Sequence, residues 1–335
     1  MDVSSGHVLL VNMYRTMLLI RIVEERIAEL LESEEIECPT HLCTGQEAIP
    51  AGVCAALRQT DLAFGTHRSH GHYLAKGGSL DELVSELFGK GSGCSRGRGG
   101  SMHLIAPQAG FLGAAPIVSG TIALAVGAAL ASKLSDEPRV VVPFFGDGAA
   151  DEGVFHEALN IASLMELPVV FVCENNLFST HLHVEQRRAS RSIKQVADAH
   201  EITSSQIDGN DVETVHLAAA EAVERARTSR KPSLLECMTY RWRGHVGPKR
   251  NENVGLRRSE ELPRWFEKDP LVVAERRLVS SGEMTDGSLA RLKAETEGLV
   301  DQAIARAREA QYPPADELCR YVFCDSAREE TLEAT

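Results

Sequence analysis

The spacing of apolar residues changes period several times along the chain, and each change marks an element. Leu9, Met13, Thr16, Met17, Ile20, Val23, Ile27 and Leu30 recur at helical spacing and predict a long amphipathic helix over Val8 to Leu31. Residues 140 to 145 hold five apolar side chains in six before Gly146, the pattern of a strand buried on both faces. Asp151 and Glu152 suit a helix's first turn, and Val154, Ala158, Ile161 and Met165 follow at helical period, with Phe155, Leu159 and Ala162 beside them. Pro168 closes that helix and Val169 to Cys173 form a second buried strand. A strand–helix–strand unit of this kind is right-handed with parallel strands.

Other segments are weaker. Leu80 to Phe88 reads as a short helix, and Thr203 to Ile207 and Ser233 to Tyr240 as strands. Asp211 is placed to cap a helix carrying Val215, Ala218, Ala219, Ala222, Val223 and Ala226. Helices fill about 270 to 311. Ser119 to Lys133 is crowded with Gly and Ala, which permits close helix contact in the core or against another subunit. Gly89 to Ser101 is glycine-rich and basic, either a linker or an anion-facing loop. The polar, basic stretch 177–192 reads as a surface loop, and Val246 to Glu261 as a mobile one. No internal repeat is visible.

Composition narrows the class. The 335 residues are 43% hydrophobic and 25% charged, ordinary for a soluble globular chain of one large domain or two moderate ones. A net charge of −13 argues against binding nucleic acid or anionic membranes. No apolar run reaches 18 residues, and MDVSSGHVLL lacks the basic start of a targeting peptide. The eight cysteines include no CxxC pair; Cys38/Cys43 and Cys319/Cys324 lack clustered histidines, so reduced thiols and a cytoplasmic location are expected.

The candidate chemistry follows from the parallel pair. Asp147 lies just past the first strand, and Asn175 and Asn176 just past the second. Parallel neighbours end on one edge, where open α/β sheets bind ligands. A carboxylate and an amide oxygen converging there suit Mg²⁺ shared with a diphosphate. Gly146 and Gly148 let the backbone approach such a group, and the helix start beyond favours an anion. An ordinary βαβ unit with a polar cap would carry the same pattern. GDGAADEG does not fit GxGxxG, and no GxxxxGK[ST] occurs. His67, Arg68, His70 and His72 crowd into six residues of a chain with 12 histidines: a solvated polar loop, or a diphosphate contact from Arg68 with histidines facing a carboxylate substrate. His41 is either a structural or a catalytic histidine.

Gly-Asp-Gly, 26 intervening residues and Asn-Asn resemble the thiamine-diphosphate motif of transketolases and 2-oxo acid dehydrogenases. With HLCTGQEA at 41–48, THRSHGHYLAKG at 66–77, GRGGSMH at 97–103, PIVSG at 116–120 and RWRGH at 241–245, nearly the whole chain resembles the alpha subunit of the decarboxylating component of 2-oxo acid dehydrogenase complexes, a family spanning pyruvate, branched-chain 2-oxo acid and acetoin dehydrogenases. The resemblance implies a three-layer α/β fold, a mostly parallel sheet with helices on both faces. It implies one domain over 1–335, with a helical extension at about 1–60 and a helical segment at about 265–335. Its cofactors would be thiamine diphosphate and Mg²⁺, the ion held by Asp147, Asn176 and the carbonyl of Phe178. Arg68 and His245 would contact the diphosphate with His67, Gly148 and Ala149 nearby. The backbone from Pro116 to Val118 would wall the aminopyrimidine, and His41, His70 and His245 would face the substrate. His67 stands where several members have tyrosine, and Pro116 where many have glycine. The implied activity is oxidative decarboxylation of a 2-oxo acid, pyruvate first, with acyl transfer to the lipoyl group of an acyltransferase component. The implied assembly is an α2β2 heterotetramer whose beta chain completes the site. A non-catalytic cofactor-binding subunit and half of a two-chain transketolase are the rival readings.

Overall fold

The structure is a computed structural model that describes residues 3–135, 138–250, 258–317 and 319–320. In chain order the elements are α1 (Val3–Glu32), α2 (Ala48–Ala55), β1 (Leu62–Gly65), α3 (His70–Lys76), α4 (Leu80–Leu87), β2 (Phe111–Ala114), α5 (Gly120–Leu134), β3 (Val141–Gly146), α6 (Gly153–Leu164) and β4 (Val170–Asn175). There follow β5 (Phe178–Ser179), β6 (Leu182–His183), α7 (Val184–Arg187), α8 (Lys194–Ala199), β7 (Thr203–Asp208), α9 (Val212–Ser229), β8 (Ser233–Met238), α10 (Arg258–Phe266), α11 (Pro270–Ser280) and α12 (Asp286–Glu309).

Six strands pair in parallel in the order β2-β1-β3-β4-β8-β7. Their apolar side chains alternate between two cores, as a period of two requires. Val142, Phe144, Val170, Val172, Leu235 and Cys237 join a core with α1, α2, α9, α11 and α12. Val141, Phe145, Val169, Phe171, Cys173 and Leu234 join the opposite core with α5, α6 and α8. Two helical layers therefore sandwich the sheet, the three-layer α/β fold expected. Among the described residues, no helix is long and apolar enough to cross a membrane.

Several local readings change. After β3 the chain makes a turn of 3₁₀ helix over Asp147–Asp151, so α6 starts at Gly153. The buried stripe of α6 is Phe155, Ala158, Leu159 and Ala162, while Ile161 and Met165 face out because the stripe is narrower than the run of apolar residues. The stretch read as a surface loop after Asn176 is a small antiparallel hairpin, β5–β6, running into α7, with His183 and Val184 buried. Of the stretch read as a mobile loop, residues 251–257 lie outside the described residues and Arg258 to Glu261 begin α10.

The glycine-rich loop after α4 is ordered by one acid. The carboxylate of Glu86, 1% exposed, accepts from the amides of Ser95 (2.8 Å), Gly97 (2.9 Å), Gly99 (2.7 Å) and Gly100 (3.0 Å). A side chain at Gly97 has no room, since φ is +75° and a Cβ would sit 2.4 Å from the carbonyl oxygen of Gly89. Arg96 and Arg98 turn outward to Glu317, so the loop is neither a linker nor a donor of those cations to an anion. Glu86→Ala removes the acceptor of four amides, and each unsatisfied buried amide costs ~1–3 kcal/mol, reduced here by local relaxation. The expected loss is about 3 kcal/mol in urea unfolding; a loss within about 0.5 kcal/mol, the range of neutral surface changes, would refute this role.

Candidate active site at the carboxyl edge of the sheet

Because all six strands run the same way, their carboxyl ends share one edge. The strand order reverses direction between β1 and β3, which makes their junction the switch point where open α/β sheets form a crevice. Five chain segments that leave strand ends, and a sixth that approaches α2, meet there around a cavity of roughly 210 Å³. His67 and Arg68 follow β1; Pro116, Ile117 and Val118 follow β2; Asp147, Gly148 and Ala149 follow β3. Asn176 and Phe178 follow β4, His245 follows β8, and His41 comes from the segment entering α2. Of the residues singled out from sequence, His70, His72 and Asn175 are absent from the lining.

His70 is fully buried one layer behind. Its Nδ1 lies 2.5 Å from Glu24 Oε1 and its Nε2 lies 2.8 Å from Ser101 Oγ. The second oxygen of Glu24 accepts from the amide of Cys43. His70 thus joins α1 to the segments that carry His41 and Met102. Glu24 was readable as an acid on the apolar stripe of α1, between Ile20 and Ile27, a position where a charge needs a partner.

At the switch point Asp147 is 1% exposed, and its Oδ1 has no hydrogen-bond partner among the described residues. Its Oδ2 is held by the guanidinium of Arg187, which also reaches Asp151. Asn176 donates to Gln46 Oε1 (3.1 Å), and its amide oxygen accepts from the amide of Phe178 (3.2 Å). A Cβ at Gly148 would lie 2.6 Å from Ser179 Oγ. Ser119 opens α5 with φ of 65°, a left-handed conformation held by its hydroxyl's bond to the carbonyl of Ala149 (2.6 Å). Arg187 escaped the sequence reading; the signal was the Arg187-Arg188 pair close behind Asn176 in an acidic chain.

Three imidazoles face one another in the cavity. Ring centroids are 4.6 Å apart for His41 and His67, 4.9 Å for His41 and His245, and 5.5 Å for His67 and His245. Burial, then the positive charge of Arg68, pushes them down to about 3 for His41 and about 4 for His245. The same two causes push His67 down to about 2. All three are neutral at pH 7, able to donate from one nitrogen and accept at the other. Arg68 is 5% exposed and donates to the carbonyls of Leu42 and His245. Glu174, 4% exposed, is engaged by His72 Nε2 at 3.1 Å.

Fold and site together define an open α/β protein whose switch-point crevice is lined by neutral histidines, a buried arginine and a carboxylate with one unpartnered oxygen. Residues 14–316 match the dehydrogenase E1 component family, and the chain belongs to it. It is 40% identical over 311 residues, 93% of this chain and 92% of the relative, to the acetoin:2,6-dichlorophenolindophenol oxidoreductase alpha subunit of Bacillus subtilis. It is 36% identical to the pyruvate dehydrogenase E1 alpha subunit of Porphyra purpurea, over 96% of this chain and 94% of the relative. Identity to the Rhizobium meliloti pyruvate dehydrogenase E1 alpha subunit is 35%, over 91% and 87%.

The lowered imidazole values make stability depend on pH. The unfolded chain binds protons near pH 6.5 that the folded cavity rejects, so stability is complete above that pH and falls as pH drops towards 4. Melting temperature is therefore expected to decline between pH 7 and pH 5, and less steeply in His67→Phe. Parallel declines in the two proteins would remove His67 from the cause.

Proposed function

We propose that this chain is the alpha subunit of a 2-oxo acid dehydrogenase that binds thiamine diphosphate and Mg²⁺ and acts on pyruvate. The observation that carries the reading is Asp147 Oδ1, a buried carboxylate oxygen without a partner at the switch point of a parallel sheet. Such an atom suits a hard cation, and the donor set of Asp147, the Asn176 amide oxygen and the Phe178 carbonyl is the all-oxygen set that Mg²⁺ prefers. Gly148 leaves a cradle that a side chain would fill. Arg68 and His245, with Gly148, Ala149 and His67 alongside, would hold the diphosphate; Pro116 and Val118 would wall the pyrimidine end. When bound, thiamine diphosphate supplies the electron sink for decarboxylation.

The chain's own residues then have definite tasks. His41 and His245, neutral and desolvated, can donate to an oxygen that gains negative charge or hold a substrate carboxylate. His70 supports them from behind, through Glu24 and Ser101. Arg187 holds Oδ2 of Asp147 and leaves Oδ1 open, so the one carboxylate would serve both the arginine and the ion. Acetoin as substrate is the second reading, favoured by the identity to the Bacillus protein.

A beta chain in an α2β2 assembly, and an acyltransferase bearing lipoyl, complete the proposal, with the complex in the cytoplasm. Two observations support the partner chain. Leu124, Leu134 and Leu164 on α5 and α6 are 61%, 79% and 79% exposed, apolar surface that suits a protein contact. Of the carboxylates lining the cavity, Asp147 is taken by Arg187 and Glu174 by His72, so neither is a free acid to activate the pyrimidine.

Asp147→Ala should abolish Mg²⁺-dependent binding of thiamine diphosphate while the far-ultraviolet dichroism stays unchanged. Calorimetry showing wild-type affinity in this variant would sink the metal assignment. Purified alone, the chain should reduce an artificial acceptor with pyruvate negligibly. Adding the beta chain should restore turnover by at least the 10²–10⁴-fold, roughly, that a positioned acid–base group contributes. Full turnover by the alpha chain alone would refute the divided site.

A further inference from the structure

The cluster of His41, His67 and His245 has a property that cofactor binding does not require. One nitrogen from each ring lies within 4.8 Å of the other two. The Nδ1 of His41, a residue 9% exposed, is buried without a hydrogen-bond partner. We infer that, before the cofactor enters, these three imidazoles bind one zinc-class divalent ion with an anion as the fourth ligand, and that this ion keeps the cofactor out. The occupancy of the site by the ion stands on the geometry alone; the exclusion of thiamine diphosphate rests on the function proposed above, because His245 serves both.

The chemistry favours zinc over the hard cations of the Asp147 site. Imidazole nitrogens suit Zn²⁺, Co²⁺ and Cu²⁺, whereas Mg²⁺ takes oxygens. Three histidines plus one open position is a familiar tetrahedral arrangement for zinc, with nitrogens about 2.0–2.1 Å from the metal and so about 3.3 Å from one another. The present spread of up to 4.8 Å closes to that with small ring rotations. The ligands are already neutral, so no proton has to leave a ring when the ion arrives.

Preorganisation comes from Arg68. Its guanidinium holds the carbonyls of Leu42 and His245, each one residue from or part of a ligand, and Arg68 itself follows His67. The same cation repels a bare dication. That repulsion explains why the fourth ligand must be an anion: with chloride, hydroxide or a carboxylate bound, the ion's charge is partly neutralised and the arginine attracts the ligand. His67 is the residue that completes the triad, and a tyrosine there would supply no imidazole.

The test uses the full metal-free chain without cofactor, in excess Mg²⁺ to fill hard oxygen sites, titrated with Co²⁺. The expected result is one Co²⁺ per chain with the strong visible absorption of four-coordinate cobalt, bleached by one equivalent of Zn²⁺. His67→Tyr and His245→Ala should each weaken the binding by at least about 100-fold, since loss of even a residue that only supports a ligand costs a metal site about 10–100-fold. Weak octahedral absorption in the wild-type chain, or a strong band undiminished in both variants, would overturn the site. Calorimetry of thiamine diphosphate with Mg²⁺ is then run on the zinc-loaded and the chelator-treated chain. Weaker binding to the zinc-loaded chain alone supports exclusion, and equal binding overturns it. Failure of both samples to bind cofactor would instead count against the function proposed above, and leaves the cobalt result to decide the site.

Discussion

The buried guanidinium of Arg68 is the contact on which the site depends. It leaves β1 at the switch point and, among the described residues, has no carboxylate partner; its donors go to the carbonyls of Leu42 and His245. Burial pulls its basicity down, and the more distant carboxylates Glu24 and Glu174 offset part of that effect. The planar fork reaches two carbonyls on separate segments at once, which a lysine ammonium on its flexible stem does not reproduce. Through this one side chain, segments about 200 positions apart in sequence present His41, His67 and His245 to a common space. The helix–sheet sandwich provides the edge, and Arg68 fixes what stands on it.

The positive charge extends beyond Arg68. Arg241 and Arg258 are each 2% exposed; Arg258 donates to the carbonyls of Arg241, Trp242 and Arg243, and Arg241 reaches the carbonyl of Thr180. Burial, with Arg68 and Arg258 nearby, pushes Arg241 down to about 8. Two of its donor atoms have no partner among the described residues. A buried guanidinium with unpartnered donors, as Arg241 has, is destabilising by several kcal/mol, roughly. A chain of net charge −13 that concentrates guanidiniums at one edge is arranged for an anion to enter there. Burial first, and then the same positive field, keeps the imidazoles unprotonated, so the cations that favour an anion also contribute to neutral histidines.

What was legible in the sequence was whatever depends on local period or short motif. The alternation of Val140 to Phe145 and Val169 to Cys173 is enforced by two cores, and the parallel pairing that follows puts Asp147 and Asn176 on one edge by topology alone. Asp211 accepts from the amides of Glu213 and Thr214 at the start of α9, as its position implied. What was illegible depends on contacts between distant segments. His70 and His67 sit three residues apart in a loop-to-helix turn, so they point to different layers; only the fold shows that Glu24 of α1 claims one of them. Ile161 and Met165 continue the apolar period of α6 yet face outward, because the period records hydrophobicity and not the neighbour that covers it. The 177–192 stretch is polar because its arginines pair with Asp147 and Asp151, a reason that looks like solvation in the sequence.

The wall of the cavity and the uncovered apolar surface are the same piece of chain. Pro116 to Val118 line the cavity, yet Ile117 is 73% and Val118 49% exposed, and both lead through the left-handed Ser119 into α5, where Leu124 is 61% exposed. A backbone conformation unfavourable to serine is held there by one hydroxyl bond to Ala149, beside Asp147. A partner packed on α5 would bury Leu124 and Ile117 and press on the segment that lines the cavity. Such packing would couple assembly to the shape of the site, because the strained turn at Ser119 passes the contact directly to Ala149, beside Asp147. On that arrangement, an isolated chain keeps the end of the crevice around Arg68 in order, while the end nearest α5 would gain its final shape from the neighbour.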